Sequence, residues 1–347
     1  MLINNLITNN FIVFSIAAIG MGFCLFLFRI FALKTGLVDV PNARKIHSNP
    51  VPLVGGLALY LTAVVLFFLT NNYGLFFGCL ILVSSLLVIV GMLDDIYQLS
   101  ALWRFAVQIF ASLIIIYFTE VQLLTFGQLL YPNWDLDLGL LAIPITVFGV
   151  VGVINALNMA DGIDGLAAMT FFVPALMFMG LINDDSLSLW LLSLLAAILV
   201  FLIFNKSSQY KVFLGDSGSL FLGFILAWFL VYFSQGELAI INPVTALFFV
   251  ALPVYDTIFV MVRRILKKKS PFKPDNTHLH HLFLAHGWSQ SKVLVGIVLL
   301  QIMLVVLGVI FLKIQLAESI QFYIFVTLSA TYYYILKKLW ERKTWNI

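Results

Sequence analysis

The sequence predicts an all-α, polytopic integral membrane protein of about eleven transmembrane helices, with its chemistry on the cytoplasmic face. Three observations carry this. The chain is 62% hydrophobic and 10% charged, against roughly 25% charged residues in soluble domains, and its mean hydropathy is +1.07. Apolar runs recur at about 18 to 22 residues, the length a helix needs to cross a ~30 Å hydrocarbon layer. Basic residues collect in alternate loops, as the positive-inside rule requires. No stretch is left for a separate soluble domain, so residues 1–347 are expected to form one membrane domain.

The spans are expected near residues 10–30, 52–70, 75–93, 102–118, 139–156, 166–182, 187–204, 217–234, 243–262, 293–312 and 319–336. The first has no Lys or Arg before Arg29, so it lacks the basic start of a secretory signal and reads as a retained span with its Asn-rich start outside. With the N-terminus outside, every one of the 19 basic residues except Lys313 falls at an inner loop or the inner C-terminal tail. The same segmentation puts all five histidines and the motif aspartates inside, although neither was used to place the spans. The outer loops carry acids such as Asp135, Asp137 and Glu237 and suggest no site. Cys24 and Cys79 both lie within apolar runs, which excludes a disulfide framework or a Cys-ligated zinc centre.

Five aspartates beside apolar spans then need a reason, because an acid at the bilayer centre costs about 2.5–3.5 kcal/mol on insertion scales. Asp94 and Asp95 end the third span in Gly91-Met-Leu-Asp-Asp95. Adjacent helical residues point about 100° apart, so one carboxylate can face a metal or donor and the other a second substrate. The plain alternative is a pair of solvated acids, which the dipole disfavours at a helix C-terminus. Asp161 and Asp164 are spaced i, i+3 and share a face if the sixth helix has begun; a cap explains one acid but not both. Asn158 is their polar neighbour, and Asn205 at the end of the seventh span is a further substrate-binding candidate. Asp216 opens the eighth span in Gly215-Asp-Ser-Gly-Ser219, where small residues and a helix N-terminus favour a phosphate, a glycine turn with an Asp cap being the plain alternative.

His278, His280 and His281 follow in the largest basic loop. Three imidazoles within four residues cannot all converge on one ion, so phosphate contact beside Arg263, Arg264 and Lys267 to Lys269 is the more economical reading. Asp256 lies within the ninth span about two turns from Arg264, where it either supports a residue of the site or serves as a hydrogen-bond partner within the bundle. Two close carboxylates repel by about 4 kcal/mol at an effective dielectric near 20. Mg²⁺ reverses that repulsion and is usually held by one or two carboxylates plus substrate phosphates. The implied chemistry is phosphoryl transfer to or from a membrane-resident substrate. An ion-coupled transporter would keep its acids near the midplane. An intramembrane aspartyl protease would need a glycine where Phe213 stands, and its two motifs in the reverse order.

These residues resemble the polyprenyl-phosphate N-acetylhexosamine-1-phosphate transferases of glycosyltransferase family 4. The resemblance runs from Pro41-Asn-Ala-Arg-Lys-Ile-His47 and Pro52-Leu-Val-Gly-Gly56 to His281. Asn242-Pro-Val-Thr-Ala-Leu247, the Arg263–Asp275 segment and His278-Leu-His-His281 are similar to the branch that moves GlcNAc-1-phosphate from UDP-GlcNAc to undecaprenyl phosphate at the start of O-antigen or enterobacterial common antigen synthesis. The muramoyl-pentapeptide branch usually carries three consecutive histidines, which Leu279 interrupts here. That leaves a muramoyl or GalNAc donor as the lesser alternative.

The resemblance implies eleven helices in the bacterial inner membrane, N-terminus periplasmic and C-terminus cytoplasmic, Mg²⁺ or Mn²⁺ dependence and release of UMP. It implies no nucleic-acid partner and leaves homo-oligomerisation open. By motif, Asp94, Asp95, Asp161, Asp164 and His278 are carried over as catalytic, Asp216 with Asp95 as metal-binding and Arg104 as substrate-binding, while Asn158, Asn205, Arg264, His280 and His281 complete the expected substrate-binding set. Asp94 is the expected residue to deprotonate or position the acceptor phosphate.

Overall fold

The computed structural model describes residues 2–40, 49–70, 74–270 and 277–341. Pro41 to His47, Lys273 to Asn276, Arg342 and Lys343, on which some of the expectations fall, lie outside the described residues. The elements are α1 (Leu2–Thr35), β1 (Val38–Asp39), β2 (Val51–Pro52), α2 (Gly55–Thr70), α3 (Leu75–Tyr97), α4 (Ala101–Thr119), α5 (Ala142–Ala160), α6 (Leu166–Met179), α7 (Asp185–Lys206), α8 (Gly215–Tyr232), α9 (Pro243–Phe249), α10 (Ala251–Leu266), α11 (Leu279–Ala285), α12 (Gln290–Lys313) and α13 (Glu318–Glu341).

Every apolar run read from the sequence falls on helix, but the runs are not equivalent. Among the described residues seven helices are long and apolar enough to cross a membrane: α1, α3, α4, α5 with the short turn before it, α7, α8 and α12. The count is eight if α9 and α10 are one span. The protein is therefore a multi-pass membrane protein. The 16 residues of α2 and the 14 of α6 rise only about 24 and 21 Å at 1.5 Å per residue, less than a full hydrocarbon layer. Helix α13 mixes Gln321, Thr327, Thr331 and three successive tyrosines into its apolar residues.

The expected ninth span is instead broken, with α9 and α10 meeting at 79°. Pro253 supplies the cause. It has no N–H for the carbonyl of Phe249, and its ring crowds that carbonyl, so α9 cannot run on through this turn. The seven-residue α11 was not foreseen from periodicity, nor was the two-residue antiparallel pairing of β1 with β2, in which Val38 faces Pro52.

Helix α8 is the axis of the fold. From Gly215 to Val231 every residue is buried except Asp216, the pattern of a helix enclosed on all sides. It packs on α2, α3, α5 and α6. Close approach at its N-terminal end depends on glycines from other helices: a Cβ on Gly91 would overlap the Ser217 backbone, and one on Gly56 the Gly218 backbone. The Pro52–Gly56 motif forms a clasp on the segment that leads into α8. Phe213 N–H donates to the Pro52 carbonyl (2.8 Å), while Gly55 and Gly56 N–H donate to the carbonyls of Phe213 and Leu214 (both 2.9 Å). A second core, built around Tyr255, Phe259, Phe325 and Trp340, joins α10, α11, α12 and α13.

The other end of the bundle is tied shut by loops. The Gln235 side chain accepts from Leu124 N–H (3.0 Å) and Thr125 N–H (3.3 Å) and donates to the Thr125 carbonyl (3.1 Å). Glu318 accepts from Gln128 N–H at 2.8 Å.

Candidate active site

A cavity of about 760 Å³ opens at the end of the bundle where α3, α5 and α7 finish and α4, α8 and α12 begin. Asp94, Asp95, Arg104, Asn158, Asp161, Asp164, Asn205, Asp216 and His281 all stand in its wall. Residues up to 187 positions apart in the chain thus meet because helix ends, not helix middles, carry the polar groups. Acids at these ends avoid the hydrocarbon centre, where each would be costly.

Asp94, 6% exposed, is held by Arg104, whose Nη1 lies 2.8 Å from Asp94 Oδ2 and 3.6 Å from Asp216 Oδ2. One guanidinium therefore serves two carboxylates. Asn158 Nδ2 donates to Asp216 Oδ1 (2.7 Å) and to Ser219 Oγ (2.9 Å), fixing the acid from its other side. Asp95 points elsewhere, as the 100° separation of neighbouring helical residues requires. Its Oδ1 accepts the Asp216 N–H at 3.0 Å. One N–H in the first turn of α8, that of Asp216, is thus taken by a carboxylate from α3.

Asp161 and Asp164 do not share a helical face. Helix α5 ends at Ala160 and α6 starts at Leu166, so both lie in the turn between them, with Asp161 the residue after α5. They still reach the same cavity. Lys211 forms an ion pair with Asp164 at 2.6 Å, with its ammonium 5.3 Å from the centre of the Phe213 ring. Asp161 opens to the cavity, yet withdrawal from bulk water within the bundle, with Asp216 and Asp164 nearby, pushes its pKa up to about 7. Asn205 turns its Nδ2 to the Val212 carbonyl (2.9 Å), bracing the segment before α8, while its Oδ1 is buried without a hydrogen bond.

Arg264, His278 and His280 are not in the cavity wall. Arg264 Nε donates to the Ser270 carbonyl at 2.6 Å. Asp256 pairs with His278 at 2.8 Å and not with Arg264. Sequence reasoning missed Asp39, Gln98, Lys211 and Gln290 as wall residues. Lys211 carried a usable signal, a cation five residues before Asp216 in an inner loop. Asp39 is brought in by the short hairpin and carried none.

Among the described residues no three His, Cys, Asp or Glu side chains converge as a preformed metal cage. Mg²⁺ does not require one, because it keeps waters and substrate phosphates in its shell. Asp95 Oδ2 is buried without a hydrogen-bond partner beside Gly215, where a Cβ would crowd it, and Asp216 is the next residue. An unsatisfied carboxylate oxygen next to a second acid fits a hard divalent cation.

Residues 76–234 match the profile of Glycosyl transferase family 4. Three relatives are named undecaprenyl-phosphate alpha-N-acetylglucosaminyl 1-phosphate transferase. The one from Yersinia pestis is 36% identical, covering 97% of this chain and 94% of the relative. The one from Escherichia coli K12 is 34% identical over 91% and 88%, and that from Pasteurella multocida 34% over 94% and 93%. The likeness thus extends through the cavity, the histidine segment and both terminal helices, and the chain is a transferase that belongs to glycosyl transferase family 4.

Proposed function

We propose that the protein transfers GlcNAc-1-phosphate from UDP-GlcNAc to undecaprenyl phosphate, giving undecaprenyl-pyrophosphate-GlcNAc and UMP. One observation carries the reading: a single cavity at a bundle end gathers Asp94, Asp95, Asp161, Asp164 and Asp216 with Arg104 and Lys211. Acids for a divalent cation and cations for phosphate oxygens are what a transfer between two phosphorylated substrates needs. The names of the three relatives supply the donor and acceptor, and neither a muramoyl donor nor ion transport finds comparable support.

In the proposed reaction an oxygen of the acceptor phosphate attacks the β-phosphorus of UDP-GlcNAc. A new P–O bond forms as the bond from that phosphorus to the bridging oxygen breaks, and the electron pair leaves with UMP. Asp95 and Asp216 are the residues that would hold Mg²⁺ or Mn²⁺, which when bound neutralises charge on the donor diphosphate. Arg104 orients Asp94 toward the acceptor phosphate and restrains Asp216. Lys211 and His281 offer donors to substrate oxygens. In this reading the cavity faces the cytoplasm from the bacterial inner membrane, with the N-terminus periplasmic and the C-terminus cytoplasmic, and eleven spans result if α2, α6 and α13 cross along with the seven long apolar helices and the α9–α10 pair. The support is that Arg29, Lys34, Lys206, Lys211 and Lys292 adjoin helix ends on the cavity side, whereas the opposite loops hold Asp135, Asp137 and Glu237.

Purified protein given undecaprenyl phosphate, Mg²⁺ and radiolabelled UDP-sugars one at a time tests the assignment. UDP-GlcNAc should label the lipid and release UMP. Label transferred only from a muramoyl-pentapeptide or GalNAc donor would reject the substrate, and no transfer from any donor would reject the reaction.

A further inference from the structure

Behind the turn that carries Asp161 and Asp164, on the side away from the cavity, lies an ionisable cluster that the proposed transfer does not use. Asp256, in α10, meets three groups. Its Oδ2 is 2.8 Å from His278 Nδ1, and its Oδ1 accepts from the Leu279 N–H (2.9 Å) and the Tyr332 hydroxyl (3.0 Å). Tyr332 belongs to α13, so one carboxylate joins α10, α11 and α13. Helix α11 has only seven residues, too few to be stable alone, and His278 provides no side-chain cap. Asp256 supplies that cap from another helix by accepting a first-turn N–H.

A row of rings continues from this anchor. The rings of His278 and His280 are parallel within 2° with centroids 5.9 Å apart, and His281 follows at 4.1 Å from His280. His280 is 2% exposed and lies against Gly162, where a Cβ would overlap three atoms of its ring. Gly162 itself lines the cavity between the two aspartates. Burial, with His281 and His278 beside it, holds the His280 imidazole well below its usual pKa, so the ring meets the turn uncharged.

We propose that Asp256, steadied by Tyr332, is a positioning residue and that His280 is the pad through which it acts, fixing the Asp161–Asp164 turn in the cavity wall without touching substrate. His280 contacts the back of the turn, whereas Asp256 bonds the start of the helix that carries His280 and Tyr332 of α13. The activity readout of this inference rests on the transferase reading; the structural readout does not.

The test is a double-mutant cycle on the full-length protein with Gly162→Ala, His280→Ala and both, measuring Tm without substrate and kcat and KM for UDP-GlcNAc. Gly162→Ala should lower Tm and reduce kcat about tenfold, the scale of losing a residue that orients a site. Added to His280→Ala, it should change Tm and kcat little further, because the overlapping ring is gone. Equal losses from Gly162→Ala in both backgrounds would overturn the contact. Tyr332→Phe keeps the aromatic packing and removes only the hydroxyl, and should lower kcat several-fold with donor KM unchanged. A rise in KM with kcat intact would overturn the positioning role. If wild type transfers nothing from UDP-GlcNAc, the function falls while the Tm cycle still decides the contact.

Discussion

Two carboxylate sites lie back to back across the Asp161–Asp164 turn, and their unmet hydrogen-bonding capacity differs. At Asp256 both oxygens have partners, from an imidazole, a backbone N–H and a phenol. In the cavity, Asp95 keeps one buried oxygen without a donor, and Asp94 and Asp216 share one guanidinium. A carboxylate that already accepts three hydrogen bonds has little capacity left for a ligand and acts on its neighbours. An unsaturated one is costly in the empty protein and becomes satisfied when a cation or a protonated substrate group arrives. The comparison teaches that residual capacity, more than charge, separates acids that react from acids that hold.

The largest effect should come from the unsaturated side. Asp216→Asn should lower kcat about 10²–10³-fold, on the order of 3–4 kcal/mol of transition-state stabilisation, while the protein still folds, because the amide keeps the volume. Asp95→Asn should follow it, since an amide oxygen can still accept the Asp216 N–H but binds a cation weakly. Steady-state rates over a Mg²⁺ series check both, and a rate indifferent to EDTA in wild type would remove the metal from the account.

A packing change should break the same side less selectively. Gly91→Ala pushes a methyl into the Ser217 backbone, and overpacking of this kind costs about 1–3 kcal/mol. Tm and activity should fall together as Asp216 is displaced; an unchanged Tm would mean that α3 can shift freely from α8.

The third expectation uses Asp161, whose pKa is raised from 3.8 to about 7. The folded state then favours the protonated acid, so this contribution to stability is full below the unfolded pKa and is lost as pH rises through the folded one. Metal-free protein should lose a modest amount of Tm between about pH 4 and pH 7 from this group, because Asp161 is exposed to the cavity and solvent screening discounts the effect. Asp161→Asn should flatten that dependence and raise Tm near pH 8, read by thermal unfolding in EDTA; a parallel curve would remove Asp161 as its source. The smallest effect belongs to the closed end, where Asp135→Asn should leave kcat within about twofold, as surface changes away from such features usually do.

Much of this site was legible in the sequence. Acids placed where apolar runs stop have to lie at helix ends, and five such acids with Arg104 did converge on one cavity. What was not legible depends on contacts between distant segments. The bond from the Asp216 N–H to Asp95 joins positions 121 residues apart, and the anchor at Asp256 requires Tyr332 from 76 residues away. Neither leaves a periodic trace. The break between α9 and α10 was visible as Pro253, but apolar composition on both sides reads as one span unless the missing N–H is counted. The histidine row reads as one basic cluster in sequence, whereas in the fold His281 reaches the cavity and His280 is turned to its back.

The most direct test of the contrast between the two carboxylate sites is Mn²⁺ binding to the purified protein, followed by electron paramagnetic resonance with UDP-GlcNAc present and no acceptor. Wild type and Asp256→Asn should both bind the ion in a donor-dependent way, whereas Asp216→Asn and Asp95→Asn should lose it. Equal Mn²⁺ binding in all four proteins, or its loss in Asp256→Asn alone, would contradict the account.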